Sequence, residues 1–151
     1  MDLKENTNLV FQQVSKAVRE AGREDGSVSV VAVTKYVDSE TAGQLVQQGV
    51  KHIGENRVDK FLDKYHALSD KDITWHLIGS LQRRKVKDII SYVDYFHALD
   101  SLKLAQEIQK RSNRKIKCFL QVNISGEESK HGFSKEELIQ ILMKMCSHLE
   151  V

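Results

Sequence analysis

A strand-and-helix rhythm restricts the fold of this chain more than any other feature. Apolar, strand-like runs begin near Val28, Lys51, Ile73, Tyr95 and Ile116, about 22 residues apart, and a helical pattern follows each. Strands that alternate with helices in this way build a parallel sheet covered by helices. Capping signals mark the helix starts. Asp38 or Ser39 can cap the first helix of the series, and Gly49 can stop it. Ser80 opens "LQRRKVKDIISYV", Asp100 or Ser101 opens "LKLAQEIQKR", and Ser134 with Glu137 forms a capping box before "LIQILMKM". An amphipathic helix over residues 3–21 precedes the rhythm, with Val10, Val14, Ala17, Val18 and Ala21 on one face and Gly22 at its end.

Two architectures use this rhythm: an open doubly wound sheet and a closed eight-stranded barrel. After the first strand comes "TKYVDSE", with no glycine to admit a pyrophosphate to a helix N-terminus, so the nucleotide-fold fingerprint is missing. The expected fold is therefore α/β, a TIM-type (β/α) barrel. Its eight units need more chain than the 151 residues present, which hold about five βα units after the N-terminal helix and reach "HLEV" where a sixth strand starts. There is no proline and no linker composition, so residues 1–151 read as a single partial barrel domain. Open strand edges in such a barrel lead to an expectation of self-association.

Composition narrows the partners. A net charge of +2 is too small to argue for nucleic acid. The basic run "QRRKVK", residues 82–87, has no interleaved aromatic residue and reads as a solvated helix face. No window is apolar over the length of a membrane span, and the N-terminus lacks the basic-then-apolar order of a signal peptide. Cys118 and Cys146 match no metal spacing and no disulfide framework, so both are expected reduced, buried and without a functional role, in a cytoplasmic protein.

In barrels of this type the chemistry lies at the C-terminal ends of the strands. Lys35 ends the run "VSVVAVTK" and shares its alternation with Val31 and Val33. A lysine there has two readings. Burial would strip its hydration and favour the neutral, nucleophilic amine; alternatively, the residue opens an exposed loop and reaches water. The next strand ends offer Glu55 and Asn56, then His76 and Ser80, then His97, Asp100 and Ser101, then Asn123 and Ser125. Glu55 can sit in the first turn of a helix, where a carboxylate suits the dipole. His76, between Trp75 and Leu77, fits an interior histidine as well as a catalyst, and Ser80, Asp100 and Ser101 fit helix caps. Asn56 and Asn123 stand out because asparagine is a poor strand residue and needs partners when buried. "SGEESKHGF" is a polar, glycine-containing loop suited to a mobile segment over the strand ends.

Five stretches in order, "VAVTKYV", "HIGENRVDKF", "WHLIGSLQRRK", "HALDSLKLA" and "VNISGEESKHGF", closely resemble the motifs of the pyridoxal phosphate homeostasis proteins, the alanine-racemase-like YggS/PROSC family. The resemblance runs from the first strand to the end of the sequence. It implies a barrel of the alanine racemase N-terminal type, truncated before the sixth strand. It implies pyridoxal 5'-phosphate held as an imine on Lys35, with Asn56 beside the cofactor and His76 and Asn123 in its surroundings. In the family a serine- and glycine-containing C-terminal segment grips the phosphate, and that segment corresponds to no part of these 151 residues. The resemblance further implies vitamin B6 and amino-acid homeostasis without established catalysis, with apo-enzymes as recipients of the cofactor. The alternative from a different class is a pyridoxal-phosphate-dependent amino-acid racemase. That chemistry needs acid/base groups on both faces of the substrate, and no tyrosine here has an evident claim to the second face.

Overall fold

Period-two alternation hands the two faces of each strand to different neighbours, and this sorts the whole molecule. The computed structural model describes residues 2–144 and 149–150. In chain order the elements are α1 (Leu3–Glu20), β1 (Val31–Val33), α2 (Ser39–Gln47), β2 (His52–Glu55), α3 (Val58–Ala67), β3 (Thr74–Leu77), α4 (Val86–Ile89), β4 (Tyr95–Leu99), α5 (Leu102–Arg111), β5 (Ile116–Leu120), α6 (Lys135–Lys144) and β6 (Leu149–Glu150). The strands form one parallel sheet in the order β1-β2-β3-β4-β5-β6. Each strand pairs with the next in sequence and the order never reverses, as in the winding of a barrel rather than that of a doubly wound sheet. Five strand–helix units follow α1, as the sequence rhythm predicts, and β6 pairs with β5 through Ile116–Leu149 and Lys117–Glu150. The fold is α/β, an incomplete TIM-type barrel.

One strand face packs under the helices. Ile53, Trp75, Leu77, Phe96, Ile116 and Cys118 are buried there against Phe61 and Leu68 of the α3 region, Ile89 and Ile90 around α4, and Leu104 and Ile108 of α5. The other face carries Val31, Val33, His76, Tyr95, Lys117 and Phe119, and is far less covered: Val33 is 53% and Phe119 55% exposed. Burial along β5 alternates residue by residue, which is the signature of this division.

The caps follow the sequence closely. The Asp38 side chain accepts from the Thr41 amide, Ser101 accepts from the Leu104 amide, and Ser134 and Glu137 bond each other's backbone amides reciprocally. Gly49 ends α2 with φ 101°. Three expectations shift. The first strand begins at Val31, where its ladder partner His52 begins, rather than at Val28. The face that α1 packs inward is Thr7, Phe11, Val14 and Val18, while Val10 is exposed. The helix expected from Ser80 is broken into short pieces: Gln82 is extended, Arg83–Lys85 and Ile90–Tyr92 are 3₁₀ turns, and only Val86–Ile89 is α-helical. No side chain caps its start, and three cations crowd an end that favours negative charge. The buried Leu81, Val86, Ile89, Ile90 and Val93 hold the segment in place instead.

Cys118 is buried at 4% exposure and unpaired, and burial pushes its thiol up to about 12. Cys146 lies outside the described residues. Among the described residues no helix is long and apolar enough to cross a membrane.

The exits of β2 and β3 touch at one point. A Cβ on Gly79 would overlap the Asn56 carbonyl oxygen and come within 3.0 Å of the Asn56 Cα. Because the obstacle is backbone, it cannot rotate away. Gly79→Ala is therefore expected to lower stability by about 2–3 kcal/mol, as overpacking does. Urea unfolding checks this, and an unchanged midpoint contradicts so close an approach.

Candidate functional site

The candidate site lies at the C-terminal ends of β1 and β2. The Thr34 amide donates to the Gly54 carbonyl at 3.1 Å, which carries the pairing of the two strands one residue past β1. The Val37 amide then donates to the Thr34 carbonyl at 3.1 Å, closing a tight turn with Lys35 and Tyr36 at its two central positions. Lys35 is exposed, and its Nζ lies 5.0 Å from the centre of the exposed Tyr36 ring. It makes no hydrogen bond or ion pair with the described residues. Of the two sequence readings, burial and loop exposure, the structure gives exposure.

Behind the turn lies a buried polar cluster that sequence reasoning missed. Thr34, Glu55 and Lys64 are 1%, 0% and 4% exposed. The Lys64 ammonium donates to Glu55 Oε1 at 2.5 Å and to the Thr34 carbonyl at 2.7 Å, and the Thr34 hydroxyl donates to the same Oε1 at 2.6 Å. Glu55 is thus the buried last residue of β2 rather than a first-turn helix carboxylate. The missed signal was Lys64 itself. It shares a helix face with the buried Phe61 and Leu68, where periodicity calls for an apolar residue.

Asn56 follows Glu55 directly, is half-buried, and leaves the sheet at the same end as Lys35. His76 stands in β3 opposite Gly54 of β2, which is itself opposite Val33, so it lies further down the sheet than Lys35 and Asn56. It is buried at 4% and joins a chain of imidazoles. Nδ1 of His52 and Nε2 of His76 are 3.0 Å apart; Nδ1 of His76 and Nε2 of His97 are 2.8 Å apart. Each contact takes one donor and one acceptor, so neighbouring rings set their tautomers in concert. Tyr95 stacks on His76 at 4.7 Å between centroids, and Phe119 lies 4.8 Å from His97. The rings bond in a line instead of converging, and among the described residues no group of His, Cys, Asp or Glu is arranged to hold a metal. The sequence pointed to His76 and His97 but missed His52, one pleat further down.

Asn123 is engaged elsewhere. Its amide nitrogen donates to the carbonyls of Glu127 and Lys130, and its Oδ1 accepts from the Ser125 hydroxyl and the Gly126 amide. All four contacts organise the "SGEESK" loop. The structure therefore brings Lys35 and Asn56 to one strand end, sets His76 lower on the sheet, and turns Asn123 into its own loop.

Burial holds His76 at about 4, against an ordinary 6.5, with further lowering from His97 and His52; burial also lowers His97. Between those two values the unfolded chain binds a proton that the folded chain refuses. The stabilisation from a neutral His76 is complete above about 6.5 and is lost as pH falls toward about 4. His76→Gln is expected to reduce the stability lost between about pH 7.5 and about pH 4.5 by about 2 kcal/mol. Urea unfolding at the two pH values measures it, and equal losses in both proteins contradict the buried neutral ring.

The match with known proteins follows the same elements. Residues 11–151 match the model of the alanine racemase N-terminal domain family. The pyridoxal phosphate homeostasis protein of Aquifex aeolicus is 39% identical over 144 residues, covering 93% of this chain and 63% of that protein. The pyridoxal phosphate homeostasis protein of Helicobacter pylori is 34% identical over 158 residues, covering 100% of this chain and 71% of that protein. Among solved structures, PipY of Synechococcus elongatus with pyridoxal phosphate bound aligns at a TM-score of 0.77 and 27% identity, covering 89% of this chain and 65% of that one. The chain thus spans about two thirds of the length of the proteins it matches. It belongs to the alanine racemase N-terminal domain family, among the pyridoxal phosphate homeostasis proteins.

Proposed function

We propose that this chain holds pyridoxal 5'-phosphate covalently on Lys35 and serves vitamin B6 homeostasis as a carrier, without turnover of its own. The observation that carries the reading is the placement of the Lys35 amine. It stands at the C-terminal end of β1, exposed and without a hydrogen bond or ion pair to the described residues. When bound, the cofactor supplies an aldehyde. Lys35 would supply the amine that holds that aldehyde as an imine. The residues at hand fit that aldehyde end, with an accessible amine on a turn that backbone and buried side chains hold in place. Asn56 at the neighbouring strand end is proposed to border the cofactor. His76 is proposed to act from lower on the sheet, as a neutral ring that adds no positive charge.

The domain assignment belongs to the same proposal: residues 1–151 act as one cofactor-binding barrel unit, in the cytoplasm, with apo-enzymes as recipients. The racemase alternative would need a second acid/base group on the substrate face opposite Lys35, which the carrier reading does not require. Self-association through the edge of β1, which pairs only with β2 among the described residues, completes the proposal, and sedimentation velocity should show a dimer or larger species; a monomer at all concentrations contradicts that part.

The test of the carrier reading is spectroscopic. On titration with pyridoxal phosphate, the chain should gain the visible absorbance of a protein-bound imine, and Lys35→Ala should lose it while keeping the far-ultraviolet circular dichroism of the parent. The same absorbance in Lys35→Ala rules out Lys35 as the attachment point.

A further inference from the structure

We infer that the buried Lys64–Glu55 pair is a positioning device for the Lys35 turn, an inference that rests on the carrier reading above. Lys64 and Glu55 are buried on the helix side of the sheet. Yet the Lys64 ammonium donates to the carbonyl of Thr34, the peptide group that leads into Lys35. That carbonyl also accepts the Val37 amide that closes the turn. Glu55 in turn holds the Thr34 hydroxyl and directly precedes Asn56. One ion pair therefore ties together the two strand ends that carry Lys35 and Asn56.

The way the carboxylate is used supports a geometric role. The Thr34 hydroxyl and the Lys64 ammonium both donate to Oε1, and Oε2 is buried with no hydrogen bond from the described residues. A pair placed for stability would spread its hydrogen bonds over both oxygens, because burying a charge costs more than an imperfectly satisfied pair returns. Here the bonding converges on the one oxygen that faces Thr34. Lys64 is placed likewise: its stem fills an apolar position between Phe61 and Leu68 on α3, and its charged end emerges under the turn. A flexible, exposed lysine samples many orientations. Fixing the peptide group beneath it narrows the positions from which the amine meets an aldehyde, and misplacement by about 1 Å can cost a reaction a hundredfold.

The test uses two variants. Lys64→Met alone strands a buried carboxylate and is expected to fold poorly. Glu55→Gln/Lys64→Met removes both charges at nearly constant volume and is expected to fold, because such pairs are replaceable by neutral groups. In the folded double variant, hydrogen exchange of the Val37 amide should accelerate about tenfold or more, since its acceptor is no longer fixed. The rate of imine formation at Lys35 with pyridoxal phosphate should fall about tenfold or more, with exposed lysines elsewhere taking a larger share. Thr34→Ser, which keeps the hydroxyl donor, should retain the parent rate, and Thr34→Val should lose part of it. A double variant that folds with parent Val37 exchange and parent Lys35 selectivity overturns the inference. If the parent chain forms no imine at Lys35, the carrier reading fails by itself, and Val37 exchange still decides whether the pair holds the turn.

Discussion

A parallel strand has two faces and a helix-bearing connection that can cover only one of them, and everything else in this molecule follows from that constraint. The connections between successive strands place their helices on the side of Ile53, Trp75, Phe96 and Ile116, and the core forms there. The remaining face is left with His52, His76, Tyr95, His97 and Phe119, whose rings contact one another instead of an apolar layer. Chemistry in such a fold moves to the strand ends, because only there does the chain leave both the ladder and the core. Lys35 and Asn56 are the residues that leave first.

Polarity is distributed unevenly across this frame. On the helix side the Lys64–Glu55 ion pair is buried beneath the exit of β1. On the other side the imidazoles form a hydrogen-bonded line in which burial keeps the central ring neutral. The two groups act differently on the site. The ion pair meets backbone at Thr34, and the histidines line the other sheet face lower down.

Much of this was legible in the sequence, and the reasons are local. Strand spacing made the parallel strand–helix alternation readable, because parallel strands need a crossover of a dozen or more residues, and the missing glycine fingerprint favoured the barrel over the doubly wound sheet. The caps at Asp38, Ser101 and Ser134 were readable because each acts within three residues. The helix after Ser80 was not, since apolar spacing alone does not distinguish one long helix from short turns that bury the same side chains. Lys64 escaped because a lysine on an amphipathic helix is read as solvated, and only the fold brings it under Thr34 across thirty positions. Asn123 was readable as unusual but not as a loop organiser, because three of its four partners lie in the backbone. Lys35 was placed correctly at a strand end, while the turn beginning at Thr34 lifts it out of the burial that the preceding apolar run implied.

The most direct test of the account is intact mass spectrometry after borohydride reduction in the presence of pyridoxal phosphate, followed by peptide mapping. The account predicts one reduced cofactor per chain, located on the peptide that contains Lys35. An unchanged mass, or a label spread evenly over the exposed lysines, would contradict it.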